Sequence, residues 1–222
     1  MKTSTSARAT DNETGKPNRK EDILLSAERL FAMRSYDAVS IRDIADEAGV
    51  PSRLVGYYYG KKEDLFDAIF VHRQDNIAER RRRIQDADLQ GPPEQALREI
   101  VNAWCGPVIT MRDKPEGEHF LVLVARSVWE QSEVAIETIK RHYDALAEDF
   151  IAALAIIYPD RPRTWHCWAY QWSLGALLMH IADRRVERLS RGAAQPGDPS
   201  ALPRLVSFLC AGIHAMAQEP AA

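Results

Sequence analysis

The chain predicts an all-α protein: an N-terminal three-helix helix-turn-helix unit followed by a C-terminal helical bundle. Two observations carry this. Residues 39–66 read VSIRDIADEAGVPSRLVGYYYGKKEDLF, two short helical patterns around a glycine turn. Elsewhere apolar residues recur at three- and four-residue spacing, and no stretch alternates with the period of a half-buried strand. At 222 residues, 45% of them hydrophobic, the chain can hold one small and one larger core.

Residues 1–17 are polar, with almost nothing apolar, and predict a disordered tail. Ile23, Ala27, Leu30 and Phe31 then mark the core face of a first helix. Ile41, Ile44, Ala45 and Ala48 mark a second, with Ser40 placed as N-cap and Asp43 in its first turn. Gly49 fits a left-handed residue ending that helix. Pro51-Ser52 reopens a third, running to Tyr59. Two helices joined by a short glycine-containing turn form a helix-turn-helix. Helix four opens at Lys62 and reads as continuous to about Asp86, ending in Arg80-Arg81-Arg82-Arg83. That run reads as a solvated helix end matched to the dipole. Gly91-Pro92-Pro93 closes the segment, dividing the chain into 18–66 (helix-turn-helix), 67–90 (connecting helix) and 91–222 (bundle).

Leu97, Ile100, Val101 and Trp104 line a helix that Gly106-Pro107 kinks or ends. A loop is expected from Arg112 to Gly117. Helices follow over about 120–129, 134–158, 163–189 and 202–217, with a Gly/Pro-rich loop at 190–199. All five tryptophans lie in this half. Trp165, Trp168 and Trp172 fall at i, i+3 and i+7, one stripe of one helix.

The net charge is −3, and Lys/Arg equal Asp/Glu over residues 1–90, so any positive surface must be local. Cys105, Cys167 and Cys210 are isolated, which indicates neither a zinc site nor a disulfide framework and fits a cytoplasmic chain with reduced thiols. No apolar stretch is long enough to span a bilayer, and no signal peptide is read.

Residues 19–70 resemble the N-terminal domain of the TetR family of transcriptional regulators. The resemblance rests on Phe31, Tyr36, Ser40, Arg42-Asp43-Ile44-Ala45, Ala48-Gly49-Val50, Tyr57-Tyr58-Tyr59, Lys62-Glu63 and Leu65. Two positions depart from the family pattern: Ser35 stands where Gly is usual, and Gly56 where the recognition-helix Tyr is usual. Residues 118–217 further resemble the fatty-acid-responsive PsrA-type branch. That likeness rests on Phe150–Leu154 before Pro159, on Gly175–His180, and on Ala182–Gly192. The resemblance implies a homodimeric repressor of an inverted-repeat operator on double-stranded DNA, released by a small apolar effector such as a fatty acid or acyl-CoA.

The residues expected at DNA are Ser40, Arg42, Ser52, Arg53, Leu54, Tyr57, Tyr58, Tyr59, Lys61 and Lys62. Ser52 and Arg53 suit base edges; the tyrosines and lysines suit phosphates. A ligand pocket is expected from Trp104, Met111, Phe120, Leu123, Trp129 and Tyr170, with His180 as polar anchor. A dimer interface is expected from Trp165, Trp168, Trp172, Leu205, Leu209, Ile213 and Met216. The competing reading is a DNA binder with a filled core and no effector. An enzyme is not expected, and neither is a cofactor or metal. Only Glu116–His119 has Glu-x-x-His spacing, without the second copy a di-iron bundle needs, and no nucleophile elbow or nucleotide fingerprint occurs.

Overall fold

The computed structural model describes residues 18–111, 115–130 and 132–218, with backbone only for Pro115 and Glu116. The tail at 1–17 lies outside the described residues. The helices are α1 (Arg19–Met33), α2 (Ile41–Glu47), α3 (Ser52–Tyr59), α4 (Lys62–His72), α5 (Gln74–Gln85), α6 (Pro93–Met111), α7 (Pro115–Trp129), α8 (Glu133–Ile157), α9 (Arg163–Ala182), α10 (Arg185–Leu189) and α11 (Ala201–Gln218). A 3-10 turn spans Tyr36–Ala38, and no strand occurs among the described residues.

The first three helices and α4 close around Phe31, Tyr36, Phe66 and Phe70. Phe31 meets Phe66 edge-on at 5.0 Å and stacks on Tyr36 at 5.7 Å. The α1 C-terminus needs no left-handed residue. Arg34 is extended, and Ser35 has φ −60°, ψ 156°, which any residue adopts, so the usual glycine is dispensable here. Gly49, by contrast, has φ 63° and turns the chain between α2 and α3.

This small core does not close on its own. Phe120, Leu123 and Val124 of α7 belong to it. Arg126 donates to the Ala32 carbonyl at 3.2 Å and the Met33 carbonyl at 3.4 Å, satisfying acceptors at the end of α1. The Glu130 carboxylate accepts the Tyr36 backbone N–H. A second joint is charged: Arg73 donates to Glu28 at 2.9 and 2.8 Å, with both side chains largely buried. A third links Asp67 of α4 to Arg141 (2.6 Å) and His142 (2.9 Å) of α8. Burial alone would raise the Asp67 carboxyl, but the hydrogen bonds from His142 and Arg141 outweigh it and lower its pKa.

The structure corrects three expectations of helix extent and one of exposure, and it decides that Pro107 does not end its helix. The helix starting at Lys62 does not run to Asp86: it breaks at Arg73 (φ −101°, ψ 8°), where the Arg73 side chain turns to Glu28. Beyond the break α5 packs on α6 and α8 rather than on α1 and α3. The arginine run is not simply solvated: Arg80 is buried, and Arg81 pairs with Asp149 at 2.5 Å. Only Arg82 and Arg83 behave as expected, both bound to Glu79 on the surface. Pro107 does not end α6, which continues to Met111. Proline lacks an N–H and crowds carbonyls one turn back. Here α5 supplies donors at that point: Arg80 Nε to the Trp104 carbonyl (2.8 Å) and Asn76 Nδ2 to the Pro107 carbonyl (3.1 Å). The α7 helix already starts at Pro115, so only 112–114 of the expected loop lie outside the described residues, and 115–117 are helical. Finally, α9 stops at Ala182. The Asp183 carboxylate takes the Arg185 backbone N–H at 2.8 Å, an alternative to helix continuation that starts α10.

The larger core packs α5, α6, α8, α9 and α11 around Trp104, Phe150, Leu154, Leu177 and Leu209. Trp104 sits 5.2 Å from Phe150, ring to ring.

Candidate nucleic-acid interface and bundle cavity

The α2–turn–α3 unit is built by local chemistry. Ser40 and Asp43 form a reciprocal cap: Asp43 N–H donates to Ser40 Oγ (3.1 Å), and Ser40 N–H donates to Asp43 Oδ2 (2.8 Å). The Ser40 N–H, then the Ser40 hydroxyl, donate to the Asp43 carboxylate and hold its pKa below the ordinary value. The α3 helix buries Val55 inward and keeps Leu54 and Tyr58 half-buried. Its outer face consists of Ser52, Arg53, Gly56 and Tyr57, all exposed. Tyr57 is 79% exposed, an aromatic ring left in water with the Tyr58 ring beside it at 5.2 Å. Arg53 makes no hydrogen bond or ion pair among the described residues. Nothing lies within 4 Å of where a Gly56 side chain would begin, so the glycine serves no contact inside the chain.

Four of the ten residues expected at DNA are engaged elsewhere. The Ser40 hydroxyl is held by Asp43 at 2.7 Å. Leu54 packs on the small core. The Tyr59 hydroxyl donates to the Lys20 carbonyl at 2.7 Å, and burial, then Glu21, raises its pKa to about 12. Lys62 folds inward: its Nζ donates to the Tyr36 and Val39 carbonyls at 3.1 and 3.2 Å and lies 4.0 Å over the Tyr36 ring. It fastens α4 to the turn after α1. The exposed cation at the α4 start is Lys61, whose backbone N–H donates to Asp64. Arg42 is also exposed, with only a 3.7 Å contact to Asp46. The face available to a polyanion is therefore Arg42, Ser52, Arg53, Gly56, Tyr57 and Lys61, with Tyr58 at its edge.

A second exposed surface lies on the bundle. Trp168 and Trp172 are 56% and 57% exposed and stack on each other at 5.8 Å. Met179 continues their line along α9, and Phe208, 68% exposed, stands on α11. Gly175 and Gly212 on the same two helices have open space where a side chain would be. Of the other residues expected at an interface between copies, two are buried and three are half-buried. Leu209 and Ile213 are buried in the larger core, and Leu205, Met216 and Trp165 pack against it. Trp165 Nε1 also donates to the Met216 carbonyl at 3.3 Å.

Residues 23–69 match the family "Bacterial regulatory proteins, tetR family". Residues 102–212, half of the chain, match "Tetracyclin repressor-like, C-terminal domain". The chain belongs to the TetR family. Among curated proteins this TetR-family chain is 36% identical over 84 residues to the HTH-type transcriptional repressor NicS of Pseudomonas putida; the match covers 37% of this chain and 38% of NicS. Among solved structures it resembles the fatty acid degradation regulator FadR of Bacillus halodurans (TM-score 0.61, 14% identity, 90% of this chain and 98% of that one). It also resembles a TetR-like transcriptional regulator of Rhodococcus sp. RHA1 (TM-score 0.61, 17% identity, 93% and 100%). At such identities these two likenesses concern the fold. Members of the family are regulators rather than enzymes, and no cluster of metal-ligating side chains occurs among the described residues. No described helix is long and apolar enough to cross a membrane.

In this TetR-family chain the bundle encloses a cavity of about 60 Å³ between α5, α6, α7, α8 and α9. Of the seven residues expected at a pocket, Trp104 and Tyr170 line it. Phe120 and Leu123 are in the small core instead, and Trp129 is 53% exposed. Met111 lines a surface groove with Asn76 and Pro107, and His180 is not among the cavity's lining residues. The polar lining is Asn76, Arg80, Tyr143 and Tyr170. Sequence spacing missed Arg80 because it stands in a run of four arginines, three of which are on the surface or half-exposed.

Proposed function

We propose that the protein is a homodimeric transcriptional repressor that binds an inverted-repeat operator through α3 and releases it when a small molecule enters the bundle. The observation that carries this is the outer face of α3, where Arg53 and Tyr57 project from a helix-turn-helix into solvent, Arg53 with no hydrogen bond or ion pair among the described residues. A second recognition helix must come from a second copy, since one helix reads only one half-site. The apolar surface of Trp168, Trp172, Met179 and Phe208 supports a four-helix pairing of α9 and α11 with their mates. Its two open glycines would let those helices approach closely.

The joints around α4 support the coupling. The bundle touches the reading unit through Asp67, Arg73 and the α7 residues described above. A cavity of 60 Å³ is well below the roughly 300 Å³ at the lower end of ligand sites. An apolar effector must therefore part the helices around it. That gives it higher affinity for a widened state than for the closed one, the differential binding an effector requires. The small cavity also favours a second reading, a DNA binder with a filled core and no effector.

The test is a gel shift on an operator selected from random duplexes, at two salt concentrations. Arg53→Ala is expected to cost ~1–3 kcal/mol on the selected operator and little on unrelated DNA. Lys61→Ala is expected to weaken all binding and reduce the salt slope by about one. Unchanged binding by both variants overturns the assignment of this face. Lys62→Ala separates structure from contact. It removes a charged donor from two carbonyls and is expected to lower stability by about 1.5–3 kcal/mol in urea, with the salt slope unchanged. A lowered salt slope with full stability would show instead that Lys62 touches phosphate.

A further inference from the structure

Arg80 is 5% exposed and lines the cavity with Asn76, Tyr143 and Tyr170. Its guanidinium makes one described hydrogen bond, to the neutral carbonyl of Trp104, and lies 5.4 Å from the Trp104 ring. No carboxylate pairs with it among the described residues. Burial in these surroundings pushes its pKa below the ordinary value for arginine. A neutral amide could satisfy one carbonyl equally well, whereas an isolated buried charge costs several kcal/mol. Stability alone does not account for a guanidinium here. The hydroxyls of Tyr143 and Tyr170 make no described hydrogen bond, and burial raises the pKa of both despite the opposing charge of Arg80, so they remain neutral donors. The remaining lining is Val108, Leu121, Leu146, Leu174 and similar side chains.

We infer that the cavity takes a compact apolar monocarboxylate, its carboxylate held by Arg80 with Tyr143 and Tyr170 as supporting donors. The guanidinium fork suits two carboxylate oxygens, and an apolar body suits the walls. The small volume and single cation favour a short-chain or aromatic acid over a polyanionic conjugate. This rests on the reading above that the bundle receives an effector, and it names that effector's chemistry.

The probes are benzoate and hexanoate against benzamide and hexanamide, at up to millimolar concentration, followed by tryptophan fluorescence and thermal shift on the full chain. Wild type is expected to bind the acids and not the amides. Arg80→Gln keeps a donor for the Trp104 carbonyl and should weaken acid binding by about ten- to a hundredfold, the worth of a charge-assisted hydrogen bond. Arg80→Lys keeps the charge and should retain the preference for acid over amide. Equal binding of acids and amides, no binding of either acid, or a preference that survives in Arg80→Gln would overturn the anion site. Operator gel shifts separate the two readings. Acids that bind through Arg80 without releasing operator leave the site standing and overturn the effector role. Release by amides and acids alike in Arg80→Gln leaves the effector role standing and overturns the site.

Discussion

A chain carrying both Trp172→Glu and Phe208→Glu is expected to be a folded monomer that has lost most operator affinity. Both side chains are more than half exposed in the protomer, so the changes put charge on a surface and leave the core intact. At a pairing face they would bury unpaired carboxylates, which an apolar interface does not tolerate. Losing the second reading head removes the gain from bivalent attachment, about a hundred- to ten-thousandfold. Light scattering at micromolar concentration reads the assembly, circular dichroism the fold, and a gel shift the affinity. A variant that stays dimeric with full affinity would place the interface elsewhere. Leu209→Ala gives the contrast. Leu209 is buried within one protomer, so its truncation is expected to cost ~2–5 kcal/mol of protomer stability without a charge defect at the pairing face.

Replacing Glu28 with Gln is expected to destabilise the chain by ~3–5 kcal/mol, the cost of breaking a buried ion pair from one side. Glu28 is 2% and Arg73 16% exposed at the side chain, and two short hydrogen bonds join them. The pair fastens α1 to the break between α4 and α5, so the loss falls where the reading unit meets the bundle. Urea unfolding measures it. Glu28→Gln combined with Arg73→Met should recover part of the loss, because the charge itself is then gone. Arg82→Ala, which breaks only surface contacts to Glu79 and Asp86, is expected to leave the urea midpoint almost unchanged. A Glu28→Gln variant as stable as Arg82→Ala would refute the structural role of the pair.

Local chemistry was legible from residues alone. The Ser40–Asp43 cap, the Gly49 turn, and the limits of α2 and α3 all follow from contacts within a few positions along the chain. The fold class and the exposed Arg53 and Tyr57 were legible for the same reason. Periodicity also found the apolar faces, since spacing decides which residues share a side of a helix. It could not decide what each side meets. Leu209 and Phe208 are adjacent apolar residues of one helix, yet one fills the core and the other faces water. Phe120 and Leu123 looked like pocket residues because they are apolar and in the C-terminal half; α7 carries them into the N-terminal core instead. Lys62 looked like a phosphate ligand until the turn after α1 placed two carbonyls within reach of its ammonium. Arg80 looked solvated until the break at Arg73 set α5 against α6. Each of these depends on a neighbour distant in sequence. Cap and turn energies are fixed by adjacent residues, whereas burial and pairing are fixed by which surfaces the packed helices bring together.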